Sequence, residues 1–237
     1  MRKLKIAILF LCLFALASVA VADSPNKFEN FPTLGRCTGS GVRLREDPGT
    51  DSEILGKLNR DDSVVVLDRF ITDGDVWYEV DHPTQEGSAF VFGKYLEAVY
   101  AENYQDNPLH KLIMQLYLTY GITPEKAVSL FGKPKNEKRD TIGGGEYERV
   151  SMSWKNCSVE YVNNLLTSVV ISGGDKAFGN IKIGDSTDKL IQNFGEPSDQ
   201  STGAYSYQES EIVYINFDVD KNRVKNMSYH VYYDIEE

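Results

Sequence analysis

Cysteine, histidine and tryptophan are scarce in this sequence, whose 237 residues include three cysteines, three histidines and two tryptophans. Zinc-ligand spacing, a phosphate-binding glycine loop and the residue order of a Ser-His-Asp triad are missing too. No histidine stands in a motif that suggests a Cys-His pair. We therefore expect a protein that is not an enzyme, with no catalytic residues, no cofactor and no bound metal.

Two of the cysteines, Cys37 and Cys157, lie outside the N-terminal leader described below. An oxidising compartment would permit a disulfide between them, but they fall in segments that we assign to different domains. The sequence does not fix the distance between their Cα atoms. We interpret them as two buried free thiols, with a disulfide across a domain interface as the alternative.

Basic residues are in deficit, since 25 Lys and Arg stand against 35 Asp and Glu, for a net charge of −10 at pH 7. Proteins that bind nucleic acid neutralise phosphates with Lys and Arg. This charge balance therefore argues against a nucleic-acid partner.

A long apolar run, Ile6–Ala17, follows the basic residues Arg2, Lys3 and Lys5 at the N-terminus. Small residues in Ala20-Val-Ala22 then form a cleavage site, and the whole pattern is typical of a secretory signal peptide. The run is too short for a comfortable membrane span. We predict a secreted or periplasmic protein of the cell envelope, with no stable membrane span after cleavage.

Five short β-type segments follow a polar stretch, residues 23–34, that we interpret as a linker. Turn signals such as Asp47-Pro-Gly49 and Asp73-Gly-Asp75 separate them. Strands of this length and spacing predict a small β-barrel. The segments are residues 42–45, 54–58, 63–67, 76–80 and 88–92.

Residues 35–100 resemble a bacterial SH3 (SH3b) domain. The motifs that carry the resemblance, in the order typical of that family, are Val42-Arg-Leu-Arg45, Pro48-Gly-Thr50, Trp77-Tyr-x-Val80 and Gly93-Lys-Tyr-Leu96. Phe90 stands where the family often has Trp, and Arg60-Asp-Asp62 replaces its Lys-Gly-Asp turn. The resemblance implies an all-β SH3-like barrel that binds cell-wall peptide or a protein.

Four side chains of this barrel are candidate ligand-binding residues. Trp77 and Tyr95 would line a groove, because aromatic rings give a large contact area at low entropic cost. Their alternative role is packing at the end of the barrel. Arg43 and Arg45 alternate outward from the core and would bind a carboxylate of a wall peptide, with a solvated strand face as the alternative.

A helix is predicted after a boundary at residues 101–107. Asn107 is its N-cap and Pro108 its first residue. Apolar side chains then recur at the spacing of one helix face, which indicates a helix that faces the core. They are Leu109, Leu112, Ile113, Leu116, Tyr117 and Tyr120.

A motif that occurs twice comes next, first as Gly121–Pro134 and again as Gly184–Pro197. Both copies place Gly, a hydroxyl residue, an acid, Lys, Phe-Gly and Pro at the same offsets. Each copy predicts a two-turn helix that begins at the hydroxyl residue and ends at the glycine after Phe. We expect the shared lysines, Lys126 and Lys189, to lie along the surface with their stems packed.

Alternating strands follow each helix, and we predict a three-stranded antiparallel meander with one buried face in each unit. In the last strand Val224 is out of phase with Met227, which indicates a β-bulge. The C-terminal part is thus predicted to be an α+β domain of tandem repeats.

The repeated pattern, Gly-x-[Ser/Thr] followed by Phe-Gly-x-Pro and a meander, resembles the SmpA/OmlA (BamE-like) unit. Two such units in tandem resemble the arrangement of β-lactamase-inhibitor-protein-like (BLIP-like) proteins. The resemblance covers residues 108–237 and implies a secreted scaffold that contacts proteins through its sheet. The candidate partner surface consists of the sheet aromatics Trp154, Tyr161, Tyr205, Tyr207 and Tyr214.

These observations predict a non-enzymatic adaptor whose barrel binds cell-wall peptide or an envelope protein and whose repeats bind a protein partner. The alternative is an inhibitor of a secreted enzyme that acts through the repeat sheet. The predicted boundaries are a signal peptide at 1–22, a linker at 23–34, the barrel at 35–100, a linker at 101–107, and repeats at 108–175 and 176–237.

Overall fold

The computed structural model of this chain describes residue 28 and residues 31–99, 107–201, 203–209 and 212–231. The predicted signal peptide lies outside the described residues. The described part is mostly β-structure, with a seven-stranded sheet, an eight-stranded sheet, a two-stranded ribbon and three α-helices. Within that part, no helix has the length and apolar character needed to cross a membrane.

Seven strands build the N-terminal sheet: β1 (Thr33–Cys37), β2 (Val42–Arg45), β3 (Ile54–Leu58), β4 (Ser63–Thr72), β5 (Asp75–Asp81), β6 (Ser88–Phe92) and β7 (Leu96–Ala98). Their order in the sheet is β3-β2-β6-β5-β4-β1-β7. Every neighbouring pair is antiparallel. All seven strands contribute side chains to one core, which is the packing of a small barrel.

Strands β1 and β7 are additions to the five predicted from the sequence. β1 begins inside the stretch interpreted as a linker, and Phe28 from that stretch is buried in the barrel core, its ring centroid 4.6 Å from that of Tyr78. The linker interpretation is therefore wrong for Phe28 and for residues 33–34. Such short segments become strands only through pairing with neighbours, which the sequence pattern does not reveal.

Three α-helices follow, α1 (Pro108–Tyr120), α2 (Pro124–Phe131) and α3 (Thr187–Phe194). Each begins at its predicted cap, with Leu109 N–H donating to Asn107, Lys126 N–H to Thr123 and Lys189 N–H to Ser186. The last two helices end at Gly132 and Gly195, whose φ angles of 70° and 78° favour glycine. The predicted starts and ends of both helix copies are confirmed.

The C-terminal sheet has eight strands: β8 (Asn136–Ile142), β9 (Tyr147–Trp154), β10 (Cys157–Val162), β11 (Leu165–Ile171), β14 (Asp199–Ser201), β15 (Ala204–Gln208), β16 (Val213–Asp220) and β17 (Arg223–Val231). The two short strands between β11 and β14, which are β12 (Ala177–Phe178) and β13 (Ile181–Lys182), pair only with each other. The order is β14-β15-β16-β17-β11-β10-β9-β8. Four strands after α2 therefore meet four strands after α3 at the β11–β17 pair. The prediction of three strands per unit is wrong, since each unit has four. The sequence did not reveal the edge strands β8 and β14, because they are polar and mostly exposed and show no apolar alternation.

The predicted bulge lies in β17. Asp218 pairs with Asn226 and Val219 with Val224, so Lys225 has no partner across the strand pair. This extra residue brings Val224 onto the same buried face as Met227. The bulge prediction is confirmed.

One face of the eight-stranded sheet packs against all three helices. The hydroxyl of Tyr117 in α1 lies 3.1 Å from that of Tyr229 in β17, and the hydroxyl of Tyr161 in β10 donates to the carbonyl of Tyr120 at 3.1 Å. These hydrogen bonds satisfy phenol groups that would otherwise be buried at a cost. We call the opposite side of the sheet, which carries no helix among the described residues, the open face.

The barrel packs directly on the helical layer. In β4, Val64 and Val66 point into the barrel core, whereas Val65 points the other way and joins Leu34 of β1 in the core around α1. Both sides of β4 are therefore buried at this point. Burial on both sides explains why the strand has consecutive valines instead of alternating apolar and polar residues.

An ion pair and two hydrogen bonds also connect the barrel to α2. Nζ of Lys126 lies 2.8 Å from Oδ1 of Asp81, at the end of β5, and donates to the carbonyl of Gln85 at 2.7 Å. The hydroxyl of Thr123 donates to the carbonyl of Pro83. The Lys126 side chain is only 2% exposed, so the prediction that it lies along the surface is wrong.

The matching lysine of the second copy behaves as predicted. Lys189 is 39% exposed and binds Asp185 of its own unit at 2.6 Å. In the first copy the position of Asp185 is occupied by the buried Ile122. Lys126 therefore takes its acidic partner from the barrel.

Cys37 and Cys157 are free thiols and both are buried. This confirms the interpretation that they are not paired with each other. Burial raises the pKa of the Cys157 thiol to about 11, and it raises the pKa of Cys37 as well. Neither thiol is therefore activated as a nucleophile.

Candidate functional site

A groove of about 410 Å³ opens on the outer side of the barrel, beside β2 and the short 3-10 helix Gly93–Tyr95. All four candidate ligand-binding residues, Trp77, Tyr95, Arg43 and Arg45, line it. The sheet order places β6 between β2 and β5, which brings together residues far apart in sequence. The remaining lining residues are Gly39, Ser40, Gly41, Val42, Thr50, Phe92 and Lys94.

Aromatic rings form the floor of this groove. Trp77 is 3% exposed and lies outside the barrel core, on the outer side of β5 opposite Phe92 of β6. The centroids of these two rings are 5.3 Å apart, and those of Phe92 and Tyr95 are 6.1 Å apart. Trp77 thus packs tightly and lines the groove at once, while Tyr95 stays partly exposed.

Three cations surround the aromatic floor. Nζ of Lys94 lies 5.0 Å from the ring centroid of Phe92 and 4.8 Å from that of Tyr95, so cation–π attraction holds it over the groove. Arg43 is exposed. Arg45 is only 6% exposed, and its Nη1 donates to the carbonyl of Ser52 at 2.6 Å. The alternative of a solvated strand face is therefore wrong for Arg45.

No acidic side chain is among the residues that line the groove. The lining is cationic although the whole chain carries a net charge of −10. Acidic residues are plentiful in the adjacent segment between β2 and β3, but they are exposed and outside the lining: Glu46, Asp47, Asp51 and Glu53. The local charge therefore suits an anionic group that enters the groove itself.

The aromatic partner surface predicted on the C-terminal sheet does not form. Tyr161 and Tyr207 are 0% and 1% exposed, on the face that packs against the helices. The Tyr207 hydroxyl donates to the carbonyl of Gly195 at 3.2 Å, and burial raises its pKa to about 12. Apolar alternation in a strand selects the core side, so these rings were placed on the wrong face.

The other three candidates are half-buried. Trp154 contacts Phe131, and its Nε1 donates to the carbonyl of Gly132 at 3.1 Å. Tyr205 packs against the same core as Tyr207. Only Tyr214 of the five belongs to the open face, since it pairs with His230 in the neighbouring strand and its hydroxyl accepts a hydrogen bond from Gln208.

The open face is polar, which the sequence analysis missed. A shallow depression of about 280 Å³ lies on it. The hydroxyl of Ser151 donates to Glu160 Oε2 at 3.0 Å, and Ser168 Oγ lies 3.0 Å from Nδ1 of His230. Burial lowers the pKa of His230, with Glu160 acting against this shift. Polar residues at alternate positions, Ser151 and Ser153 in β9 and Ser158 and Glu160 in β10, are the signal that would have indicated this face.

Residues 40–97 match the family model of the bacterial SH3 domain. The groove described above lies in this SH3 domain, and the resemblance drawn from its motifs is confirmed for these residues. No curated protein matches the chain.

Among solved structures, the chain is similar to a crystal structure of a Streptococcus mutans protein that is provisionally named a beta-lactamase inhibitor protein. The two are 17% identical, and the alignment covers 49% of this chain and 85% of the other, with a TM-score of 0.20.

Sequence reasoning identified four residues of the SH3 groove and missed Phe92 and Lys94. Lys94 belongs to a motif already noted, Gly93-Lys-Tyr-Leu96, but nothing in the sequence placed its ammonium group over two rings. Phe92 closes β6 with its ring on the outer side, where a polar residue is usual. An aromatic residue at that outward position is the signal that would have found it.

Proposed function

We propose that this protein is a secreted, non-enzymatic binding protein of the bacterial cell envelope. Its SH3 domain binds a cell-wall peptide or a peptide segment of an envelope protein. The observation that carries this proposal is the groove, in which a Trp77–Phe92–Tyr95 floor and three cations meet without an acidic residue in the lining. Aromatic and Arg side chains concentrate binding energy in peptide-binding sites.

The C-terminal part is, in this proposal, a tandem of two BamE-like units in a BLIP-like arrangement that binds a protein partner. The supporting observation is that four strands after α2 and four after α3 meet in one sheet whose open face is uncovered among the described residues. Tyr214 is the aromatic candidate that remains on this face. Inhibition of a secreted enzyme has no separate support in the structure.

Retention on purified peptidoglycan tests the proposed role of the SH3 domain. The intact chain without residues 1–22 is used, because the barrel shares a core with α1. We expect it to sediment with peptidoglycan and expect Tyr95→Ala to reduce the retained fraction. Tyr214→Ala, on the distant open face, is the matched aromatic control and should be retained like the unmodified chain.

Equal retention of the Tyr95→Ala variant would move the binding site out of the groove. Absence of retention for the unmodified chain would remove cell-wall peptide as the ligand and leave an envelope protein. The open face has a test of its own, in which a photoreactive amino acid at position 214 is irradiated in intact cells. A discrete cross-linked product that is missing with the same amino acid at the exposed position 71 supports the partner surface.

A further inference from the structure

We infer that the SH3 groove binds a carboxylate group of its peptide ligand and that Arg45 is the residue that holds it. This inference rests on the proposed function, because it specifies the ligand chemistry of the same groove. The Arg45 side chain is 6% exposed and lines the groove. Such a buried guanidinium normally has an anionic partner.

No such partner is present for Arg45 within the described part of the chain. Its Nη1 donates to the carbonyl of Ser52 at 2.6 Å. None of the ion pairs formed by described residues includes Arg45. A guanidinium has five N–H donors arranged as a planar fork, which matches the two oxygens of a carboxylate. One N–H of the Arg45 guanidinium is therefore used within the protein, and other N–H groups are available to donate to a bound anion.

Arg43 and Lys94 strengthen the attraction for that anion. Arg43 lies two residues before Arg45 on β2 and lines the same groove. Lys94 is held over the rings of Phe92 and Tyr95. Both side chains are exposed and add positive charge beside the buried Arg45, which raises the attraction of the groove for an anion.

The remainder of the groove suits a peptide rather than a free inorganic ion. Trp77 and Phe92 offer an apolar floor for a ligand side chain. Gly39 lets the turn approach Tyr95 closely, since a Cβ at this position would lie 3.2 Å from Cδ1 of Tyr95 and 2.9 Å from Cγ2 of Val42. The groove volume of about 410 Å³ is within the usual range for binding sites of small ligands.

The acidic loop between β2 and β3 restricts the ligand to one negative group. Glu46, Asp47, Asp51 and Glu53 are exposed beside the groove. They would repel a polyanion such as a phosphate polymer, while a single carboxylate would be taken up between the cations. A peptide with one carboxylate is thus the ligand class that fits both the groove and its surroundings.

The experiment follows the amide signals of the groove and the Trp77 indole N–H by NMR during titration with short peptides. The probes are acetyl-Gly-Phe-Ala with a free C-terminal carboxylate, the same peptide as C-terminal amide, acetyl-Gly-Phe-Asp-amide, and inorganic phosphate. We expect the free acid to bind at least about tenfold more tightly than the amide, because hydrogen bonds between charged groups are stronger than those between neutral groups. Binding of the Asp peptide would show that a side-chain carboxylate serves equally, and its failure would restrict the site to a chain terminus.

Variants of Arg45 give the decisive comparison. Arg45→Gln removes the charge and the guanidinium fork, and we expect it to lose the discrimination between acid and amide. Arg43→Gln, at an exposed position, should reduce the discrimination and keeps the test open if Arg45→Gln fails to fold. Arg69→Gln removes an exposed arginine that does not line the groove and should behave like the unmodified chain.

Equal affinity for acid and amide would overturn the carboxylate inference while leaving peptide binding by the groove intact. Phosphate that binds as tightly as the free acid would overturn it too, since the site would then be a general anion site. Unchanged discrimination in both Arg45→Gln and Arg43→Gln would show that the carboxylate binds elsewhere. Peptidoglycan retention remains a separate readout of the proposed function.

Discussion

Lys126 of α2 and Asp81 of β5 form a largely buried ion pair, with Nζ and Oδ1 2.8 Å apart and side-chain exposures of 2% and 14%. Burial raises the pKa of Asp81, and the hydrogen bond from Lys126 opposes that shift. The second lysine copy, Lys189, forms a more exposed pair with Asp185, with exposures of 39% and 27%. The two copies of one motif therefore provide a matched pair of sites for measuring what burial does.

Lys126→Met should lower the free energy of unfolding by about 3–5 kcal/mol, because it leaves the Asp81 carboxylate buried without its cation. Lys189→Met should change it by less than about 1 kcal/mol, since exposed ion pairs contribute little. Urea denaturation of the two variants provides the measurement. A double variant, Lys126→Met with Asp81→Leu, should recover most of the loss because neither charge remains. Equal losses in both lysine variants would contradict the assigned role of burial.

The helix caps Thr123 and Ser186 should also contribute unequally to the free energy of unfolding. Ser186→Ala removes only the hydrogen bond to the N–H of Lys189 and should cost about 1 kcal/mol. Thr123→Ala also leaves the buried carbonyl of Pro83 without its donor, so we expect a larger loss, by about 1–3 kcal/mol. Thr123→Ser keeps the hydroxyl and is the control. Similar losses in the two alanine variants would mean that the contact with Pro83 contributes nothing to stability.

Val65 should couple the unfolding of the barrel to that of the helical layer. It is 0% exposed and packs on the core around α1, whereas Ile71 of the same strand is 68% exposed. We expect Val65→Ala to destabilise the protein by about 1–3 kcal/mol and Ile71→Ala by less than about 0.5 kcal/mol. Calorimetry of the unmodified chain should show one transition. Two separate transitions would contradict the coupling.

Stability should decrease when the pH falls below about 6.5, the ordinary pKa of histidine. Burial lowers the pKa of His82, His110 and His230, with Lys126 adding to the effect on His82. The unfolded chain then takes up protons that the folded chain does not, so stability present above pH 6.5 is lost as the pH falls toward the lowered pKa values. Each histidine would contribute up to about 1.4 kcal/mol per pH unit.

Urea midpoints measured between pH 8 and pH 5.5 test this pH dependence. Burial raises the pKa of Asp81. The folded chain therefore takes up a proton at Asp81 before the unfolded chain does, and this contribution stabilises the folded state as the pH falls. His82→Gln should reduce the dependence of the unfolding free energy on pH by the contribution of one histidine. A midpoint that stays constant or rises as the pH falls would contradict the prediction.

Local signals in the sequence were sufficient to predict where α2 and α3 begin and end. A cap and a following stop involve residues that are neighbours in the chain, so Thr123 with Gly132 and Ser186 with Gly195 fixed the ends of α2 and α3. The bulge at Lys225 was also visible, as a break in the alternation of buried residues. These features need no distant partner.

The strands were predictable only where they alternate. β8 is polar along most of its length and exists because it pairs with β9, and β1 exists because it pairs with β4 and β7. The face that each aromatic residue occupies was decided in the same way. Tyr207 lies under α3 and Tyr214 on the open face, although the two tyrosines belong to neighbouring strands of one sheet.

The sequence by itself determined the SH3 motifs of residues 40–97, the duplicated helix and the identity of four groove residues. Only the tertiary structure decided which of these groups are buried. Arg45 is covered in a groove while Arg43 is exposed, and Lys126 is buried against the barrel while Lys189 is not. The physical reason is that the free energy of a charged group depends on its solvent exposure and on its partners, and both are set by segments distant in the chain.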